Sequence, residues 1–276
     1  MTAGIFGAGQ TGLMLRFWLP ANIDVKCFFD NDKTKHGTIL ASLPVVPFDG
    51  VQEVDAVFVA VLNRDAADSI RRQIEASGFC GEVLDVSDVR CLQDIRLAVL
   101  RLIAGQIIER NIPGAAAELG VYRGDFAAEI NRLLPDRKIY LFDTFKGFDV
   151  RDIDDSTHKM NFSDTSIELV KNSLPNPSQA VFIAGRFPDS LASCQNLPES
   201  YALVSLDADL YKPTLSGLEY FWPRLSAGGA ILIHDYTGLQ FSGVRRAVDE
   251  YCARMGLFLV PLMDLHGTAV LLKQGC

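Results

Sequence analysis

No two of the six cysteines in this 276-residue sequence form a C-x-x-C pair: Cys27, Cys80, Cys91, Cys194, Cys252 and Cys276 are scattered. That pattern excludes a zinc knuckle and a thioredoxin-type redox site, and it reads as reduced thiols. A basic excess is also missing. The formal charge is −8, with 26 Lys and Arg against 34 Asp and Glu, so nucleic acid and anionic membrane surfaces are poor partners. No uninterrupted apolar run reaches membrane-spanning length. The opening MTAGIFGAG enters a strand and a turn directly, without the basic-then-apolar pattern of a leader, and a cytoplasmic location is expected. What remains is an ordinary globular composition, 49% hydrophobic and 22% charged, in a chain long enough for one large domain or two modest ones.

Short apolar runs alternate with amphipathic ones twice along the chain, which predicts an α/β fold of two Rossmann-like modules. The first, residues 1–90, reads AGIF, helix TGLMLRFWL, VKCFF, AVFVAVL, helix RDAADSIRRQIEASG, then GEVLDV. Residues 91–111 read as a linking helix with an apolar stripe of Leu92, Ile95, Val99, Ile103 and Ile107, broken by Asn111-Ile112-Pro113-Gly114. From 112 to 276 the alternation restarts, its strands being the near-continuous apolar runs of a sheet covered on both faces. Its last two strands, LFLVPL and TAVLLK, are joined by only Met263 to Gly267, which suits an antiparallel hairpin at the sheet edge. A mostly parallel sheet ending this way is similar to the build of class I methyltransferases.

Ligands of open α/β sheets bind at the carboxyl ends of the strands. In the second module those ends carry Glu118-Leu119-Gly120, Asp143, Gly185-Arg186, Asp207 with Asp209, and His234-Asp235. Any one of these could be a cap or turn former; their joint appearance is what points to a site. Gly120 and Gly124 would let backbone approach a ligand, and Asp143 could accept the hydroxyls of a ribose. Asp125 stands at the helix start, where a dinucleotide would place its pyrophosphate. A carboxylate there repels phosphate and tolerates a sulfonium amino acid, favouring S-adenosylmethionine over NAD.

The stretches AELGVYRGDF, LFDTFKGF, FSDTSIELVKNSL, SLDADLYKPT and ILIHDYTG…SGVRRAVDEY together resemble the macrocin O-methyltransferase (TylF-type) family of sugar O-methyltransferases over residues 112–273. The resemblance implies that Glu118, Gly120, Tyr122, Arg123 and Gly124 line the methionine end of the cofactor. It places Asp143, Thr144 and Phe145 at its ribose, and Gly185, Arg186 and Phe187 by its adenine. Residues 146–174 would form a lid, with His158 as a substrate contact. It also implies Mg²⁺ or Mn²⁺ held by Asp207, His234 and Asp235. Asp207 and His234 are then the catalytic candidates, because a cation on a sugar hydroxyl lowers its pKa and orients it. The sequence departs from the family at His234, which replaces a carboxylate; imidazole suits Mg²⁺ poorly, so a softer metal or a role as general base is expected there. Asp209 is either support behind Asp207 or a helix cap, and Tyr220-Phe221-Trp222 reads as core. Such enzymes are commonly homo-oligomers, though no motif here indicates one.

An earlier glycine turn, GAGQTG at Gly7–Gly12, fits the G-x-G-x-x-G pattern, with Asp30 closing the next strand. With FFDNDKTKHG and PVV, it resembles the small Rossmann-like N-terminal domains of sugar-modifying enzymes. A nucleotide or nucleotide sugar is the expected ligand, and a purely packing role stands beside it. An NAD(H)-dependent enzyme using this module is the alternative, against which the absence of any Tyr-x-x-x-Lys pair counts. A non-catalytic binding protein with a methyltransferase fold is the third reading.

Overall fold

A computed structural model describes residues 1–19, 23–49, 54–86, 94–153, 162–264 and 266–275. The chain divides into two compact units, Met1–Ile95 with Met263–Leu265, and Arg96–Leu262 with His266–Cys276. The first contains β1 (Thr2–Phe6), α1 (Gln10–Trp18), β2 (Asp24–Phe29), β3 (Ile39–Leu40), β4 (Leu43–Val46), β5 (Ala56–Val59), α2 (Arg64–Ala76) and β6 (Glu82–Asp85). Its sheet runs β3-β4-β2-β1-β5-β6 and is parallel except for the β3–β4 pair. Ala67, Ile70 and Ile74 form the buried stripe of α2, whose start is capped by Asn63 accepting from the Ala66 amide at 2.9 Å.

In that unit the glycine turn is closely packed. A Cβ on Gly12 would lie 1.9 Å from the Gly7 carbonyl oxygen, so glycine there lets α1 start against the end of β1. Asp30 is turned inward: Oδ2 accepts from the Ala8 amide and from Lys35, both at 2.9 Å, and Oδ1 from the Asp32 amide at 2.8 Å. His36 Nε2 lies 2.7 Å from the Asp30 carbonyl oxygen.

The second unit comprises α3 (Ile95–Glu109), β7 (Ala115–Leu119), α4 (Asp125–Leu133), β8 (Ile139–Asp143), α5 (Ile167–Ser173), β9 (Ala180–Ala184), β10 (Tyr201–Leu206), α6 (Tyr211–Arg224), β11 (Leu225–Ile233), α7 (Ser242–Met255), β12 (Val260–Pro261) and β13 (Ala269–Leu272). Its seven strands run β12-β13-β11-β10-β7-β8-β9. All pairs are parallel except β11–β13 and β12–β13, so the closing hairpin is antiparallel as read from the sequence.

Strand alternation sorts the side chains onto two faces. Ala117, Leu119, Phe142, Val204, Leu206, Ile231 and Ile233 enter one core with Phe221 and Trp222, which are packing residues as expected. Ala116, Leu141, Leu203 and Leu232 enter the other, beneath Leu100, Ala104 and Ile107 of α3 and Ala127 and Ile130 of α4. The fully buried line of α3 is Arg96, Leu100, Ala104 and Ile107, so the expected stripe is displaced: Ile95, Val99 and Ile103 are half-buried. Leu92 lies outside the described residues. Among those residues no helix is long and apolar enough to cross a membrane.

Candidate active site

The alternation that fills the second core also sets the polar residues at the strand ends. Glu118 pairs in register with Ser205, and Ser205 is two positions before Asp207, so the three share the face covered by α3. Asp143 and His234 continue the positions of Leu141 and Leu232 onto that same face. Glu118 is 1% exposed; Ser205 donates to its Oε1 at 3.0 Å, and Oε2 is buried without a partner. Burial, and then the charge of Asp207, push its pKa up to about 8.

Asp143 ties the glycine turn to β8. Its Oδ2 accepts from the Val121 and Tyr122 amides at 2.7 and 3.0 Å, and Oδ1 from the Phe145 amide at 2.7 Å. Most of its accepting capacity therefore holds backbone, and the Thr144 hydroxyl stands a further 3.4 Å from Oδ1. Gly120 (φ +84°) carries no Cβ because one would lie 1.8 Å from the Asp207 carbonyl oxygen; the turn after β7 is packed directly on the Asp207 segment. At Gly124, also φ +84°, a Cβ would meet Val170 at 2.7 Å, so that glycine makes room for α5.

The other expected cofactor residues divide. Tyr122 Oη donates to Asp164 Oδ1 at 2.8 Å and Arg123 pairs with its Oδ2 at 2.6 Å, so both side chains reach the 146–174 segment. The Thr144 hydroxyl donates to the Gly147 carbonyl, and Phe145 is buried in the second core beside Phe182. Gly185 has φ +133°. Arg186 is bidentate on buried Asp152, at 2.8 and 2.6 Å, with Asp189 at 3.1 Å. Phe187 is 3% exposed and stacks on Phe221 in the first core, so its ring packs the interior rather than lining a pocket. His158 lies outside the described residues.

Asp207, His234 and Asp235 converge after β10 and β11. His234 Nδ1 lies 3.1 Å from Asp207 Oδ1 and 2.9 Å from Asp235 Oδ2. One donor atom from each residue falls within 4.8 Å of the others. Adjacent ligands of a six-coordinate cation with bonds of about 2.1 Å stand roughly 3 Å apart. The two His234 separations match that spacing, and one nitrogen among two carboxylates suits manganese-like ions better than Mg²⁺. Burial works against a charged His234, but Asp207 and then Asp235 outweigh it and raise its pKa to about 10. Burial likewise opposes ionisation of Asp207, and His234 and Arg96 overcome it, holding that carboxyl well below the usual range. Asp209 is pushed well above its usual value by burial and by the Asp207 and Asp235 charges, with a hydrogen bond toward Asp235. It is not a helix cap: Leu210 holds the N-cap of α6, without a side-chain bond.

Two residues at this corner escape the sequence reading. Arg96, from α3, donates to Asp207 Oδ2 at 3.2 Å. His266 lies in the short connection before β13; its Nδ1 lies 3.4 Å from His234 Nε2, and its carbonyl accepts from the Asp235 amide at 3.1 Å. A partner at Nε2 leaves Nδ1 to face the carboxylates.

This strand order, with a glycine turn after its first strand, is that of O-methyltransferases that use S-adenosylmethionine. Residues 59–274 match the family model described as Macrocin-O-methyltransferase (TylF), and the chain belongs to that family. The match begins well before residue 112. Among proteins of known activity, the chain is 30% identical over 192 residues to the 8-demethyl-8-(2,3-dimethoxy-alpha-L-rhamnosyl)-tetracenomycin-C 4'-O-methyltransferase of Streptomyces olivaceus, covering 63% of this chain and 71% of that protein. It is 30% identical over 181 residues to the mycinamicin III 3''-O-methyltransferase of Micromonospora griseorubida, covering 59% and 69%. Among solved structures, the O-methyltransferase NovP superposes with a TM-score of 0.55 at 27% identity, covering 65% of this chain and 80% of that one.

Proposed function

We propose that this enzyme methylates a hydroxyl of a sugar, whether nucleotide-linked, in a glycoside or in a polysaccharide, and that a divalent cation assists. The observation that carries the reading is the Asp207–His234–Asp235 corner, packed against the cofactor turn through Gly120. The name of the Streptomyces olivaceus relative includes a rhamnosyl group, which supports a sugar acceptor. Bound at the turn, S-adenosylmethionine supplies an electrophilic methyl group and leaves as S-adenosylhomocysteine. A cation held by Asp207 Oδ1, Asp235 Oδ2 and His234 Nδ1 would supply Lewis acidity to the acceptor hydroxyl. Asp207 orients the acceptor hydroxyl, whose proton is lost to solvent as the new oxygen–carbon bond forms. Arg96 fixes the Asp207 carboxylate from Oδ2, and Asp209 supports Asp235 from behind. Phe162 packs on Tyr122, Phe148 and Phe241 with ring centroids 5.1, 5.3 and 6.4 Å away, an apolar rim suited to the C–H face of a pyranose.

For the first unit, residues 1–90 as read from the sequence, we propose an accessory role, with a nucleotide or nucleotide sugar at Gly7–Gly12 as the ligand to test.

The test is transfer of labelled methyl from S-adenosylmethionine to a panel of nucleotide-linked and glycosidic deoxysugars, with catechol and carboxylate acceptors alongside, each with Mn²⁺ and with Mg²⁺. Methylation of a sugar is expected. Methylation confined to the non-sugar acceptors would overturn the assignment.

A further inference from the structure

Arg96 is 7% exposed and its hydrogen bonding is incomplete. One terminal nitrogen is held by Asp207 Oδ2 at 3.2 Å, and the guanidinium carbon stands 3.8 Å over the ring of Phe126, in the first turn of α4. Its Nε is buried with no partner. A guanidinium keeps its charge in the interior, and an unpaired N–H there is costly, so such a donor persists where a ligand completes it. If Arg96 served only as counter-ion to Asp207, the buried Nε would be left unexplained. Glu118 supplies the complementary feature, since its Oε2 is buried without a partner. Both groups belong to the face and edge of the sheet at which the cofactor is proposed to bind. A ligand that carries both an anion and a cationic N–H donor would satisfy the pair, and an amino acid zwitterion is such a ligand.

The position of Arg96 narrows this further. Its guanidinium lies between Phe126, just beyond the glycine turn, and Asp207, where the methyl group must arrive. A cofactor with its ribose at Asp143 and its methyl group toward Asp207 has its amino acid tail left for this wall. We infer that Arg96 binds the α-carboxylate of the methionyl group of S-adenosylmethionine. The ring of Phe126 and the carboxylate of Asp207 hold the guanidinium in place beforehand, so little freedom is lost when the carboxylate arrives. The inference rests on the cofactor reading above.

The experiment is calorimetric titration with S-adenosylhomocysteine and with its decarboxylated analogue, S-adenosyl-3-thiopropylamine, into the wild type, Arg96→Met and Arg96→Lys. The wild type should bind the carboxylate-bearing ligand about 10- to 100-fold more tightly than the analogue, as expected for a charge-assisted hydrogen bond. Arg96→Met should bind the two alike, and Arg96→Lys should recover part of the preference. Discrimination that persists in Arg96→Met overturns the inference while leaving the cofactor site in place. Equal binding of both ligands by the wild type overturns it without recourse to any variant. Failure of the wild type to bind S-adenosylhomocysteine at all would overturn the cofactor reading, and the inference with it.

Discussion

Replacing Gly120 with alanine should damage stability and turnover together, because the residue sits where the cofactor turn touches the catalytic segment. The added Cβ would stand 1.8 Å from the Asp207 carbonyl oxygen and 2.6 Å from its carbon. Reaching a tolerable separation of about 3.2 Å means opening roughly 1.4 Å between the end of β7 and the start of the Asp207 segment. Backbone at both places is tied down, since the Gly120 amide donates to Phe142 and the Asp207 amide to Leu119, at 2.9 and 2.8 Å. Overpacking of this kind costs about 1–3 kcal/mol, and the left-handed φ of +84° adds about 1–2 kcal/mol for a residue with a side chain. The sum, about 2–5 kcal/mol, corresponds to a melting temperature lower by roughly 5–15 °C for a unit of this size. Displacing Asp207 by about 1 Å should lower turnover on the order of 100-fold. Calorimetry and a methyl-transfer assay read the two effects. Gly105→Ala is the control: nothing lies within 4 Å of a Cβ at that position of α3, so stability should hold or rise by about 0.5–1 kcal/mol. A Gly120→Ala protein with the wild-type melting temperature and turnover would refute the packing of turn against Asp207.

Three further outcomes are expected. Glu118 has a folded pKa of about 8, above its unfolded value, so folded protein holds a proton that the unfolded chain releases above about pH 4.5. Stability should therefore fall as pH rises between about 4.5 and 8, by up to roughly 1.4 kcal/mol per pH unit. Glu118→Gln should lose that slope in urea titrations at pH 5.5 and 8; an identical slope in both proteins would contradict the buried-acid reading. Asp207→Asn should lower kcat by about 10²- to 10⁴-fold while affinity for S-adenosylhomocysteine stays within about threefold; unchanged kcat would remove Asp207 from the chemistry. After chelation, Mn²⁺ should restore turnover at a concentration at least about tenfold below that of Mg²⁺, and His234→Asp should narrow the gap. Equal response to both ions in the wild type would argue against His234 as a ligand.

Legibility from sequence followed the physics of each signal. Strand runs and the hairpin spacing are local, so the sheet and its antiparallel end were readable. Glu118, Asp143, Asp207, His234 and Asp235 were readable as strand ends, and alternation then placed the first four on one face, while Asp235 follows His234 in a left-handed turn at φ +57°. Arg96 was missed because a charged residue in an apolar helix reads as solvent-facing; its spacing of four from Leu100, in line with Ala104 and Ile107, was the available signal. His266 had no local signal, because its role depends on β13 pairing beside β11. Phe187 and Gly124 were expected at the ligand through their motifs, and the structure shows the packing they also carry, against Phe221 and Val170. Motif residues share a sequence neighbourhood but point to different sides of the sheet.

The central claim is that cofactor binds at the carboxyl edge of the second sheet. Titration calorimetry of the wild type with S-adenosylhomocysteine, beside Asp143→Ala and beside NADH on the wild type, tests it most directly. Asp143 holds the Val121 and Tyr122 amides, so the variant should lose the cofactor turn along with binding. Binding by the wild type, its loss in Asp143→Ala and no heat with NADH are the predicted results. NADH binding without S-adenosylhomocysteine binding would move the ligand site to Gly7–Gly12 and contradict the account.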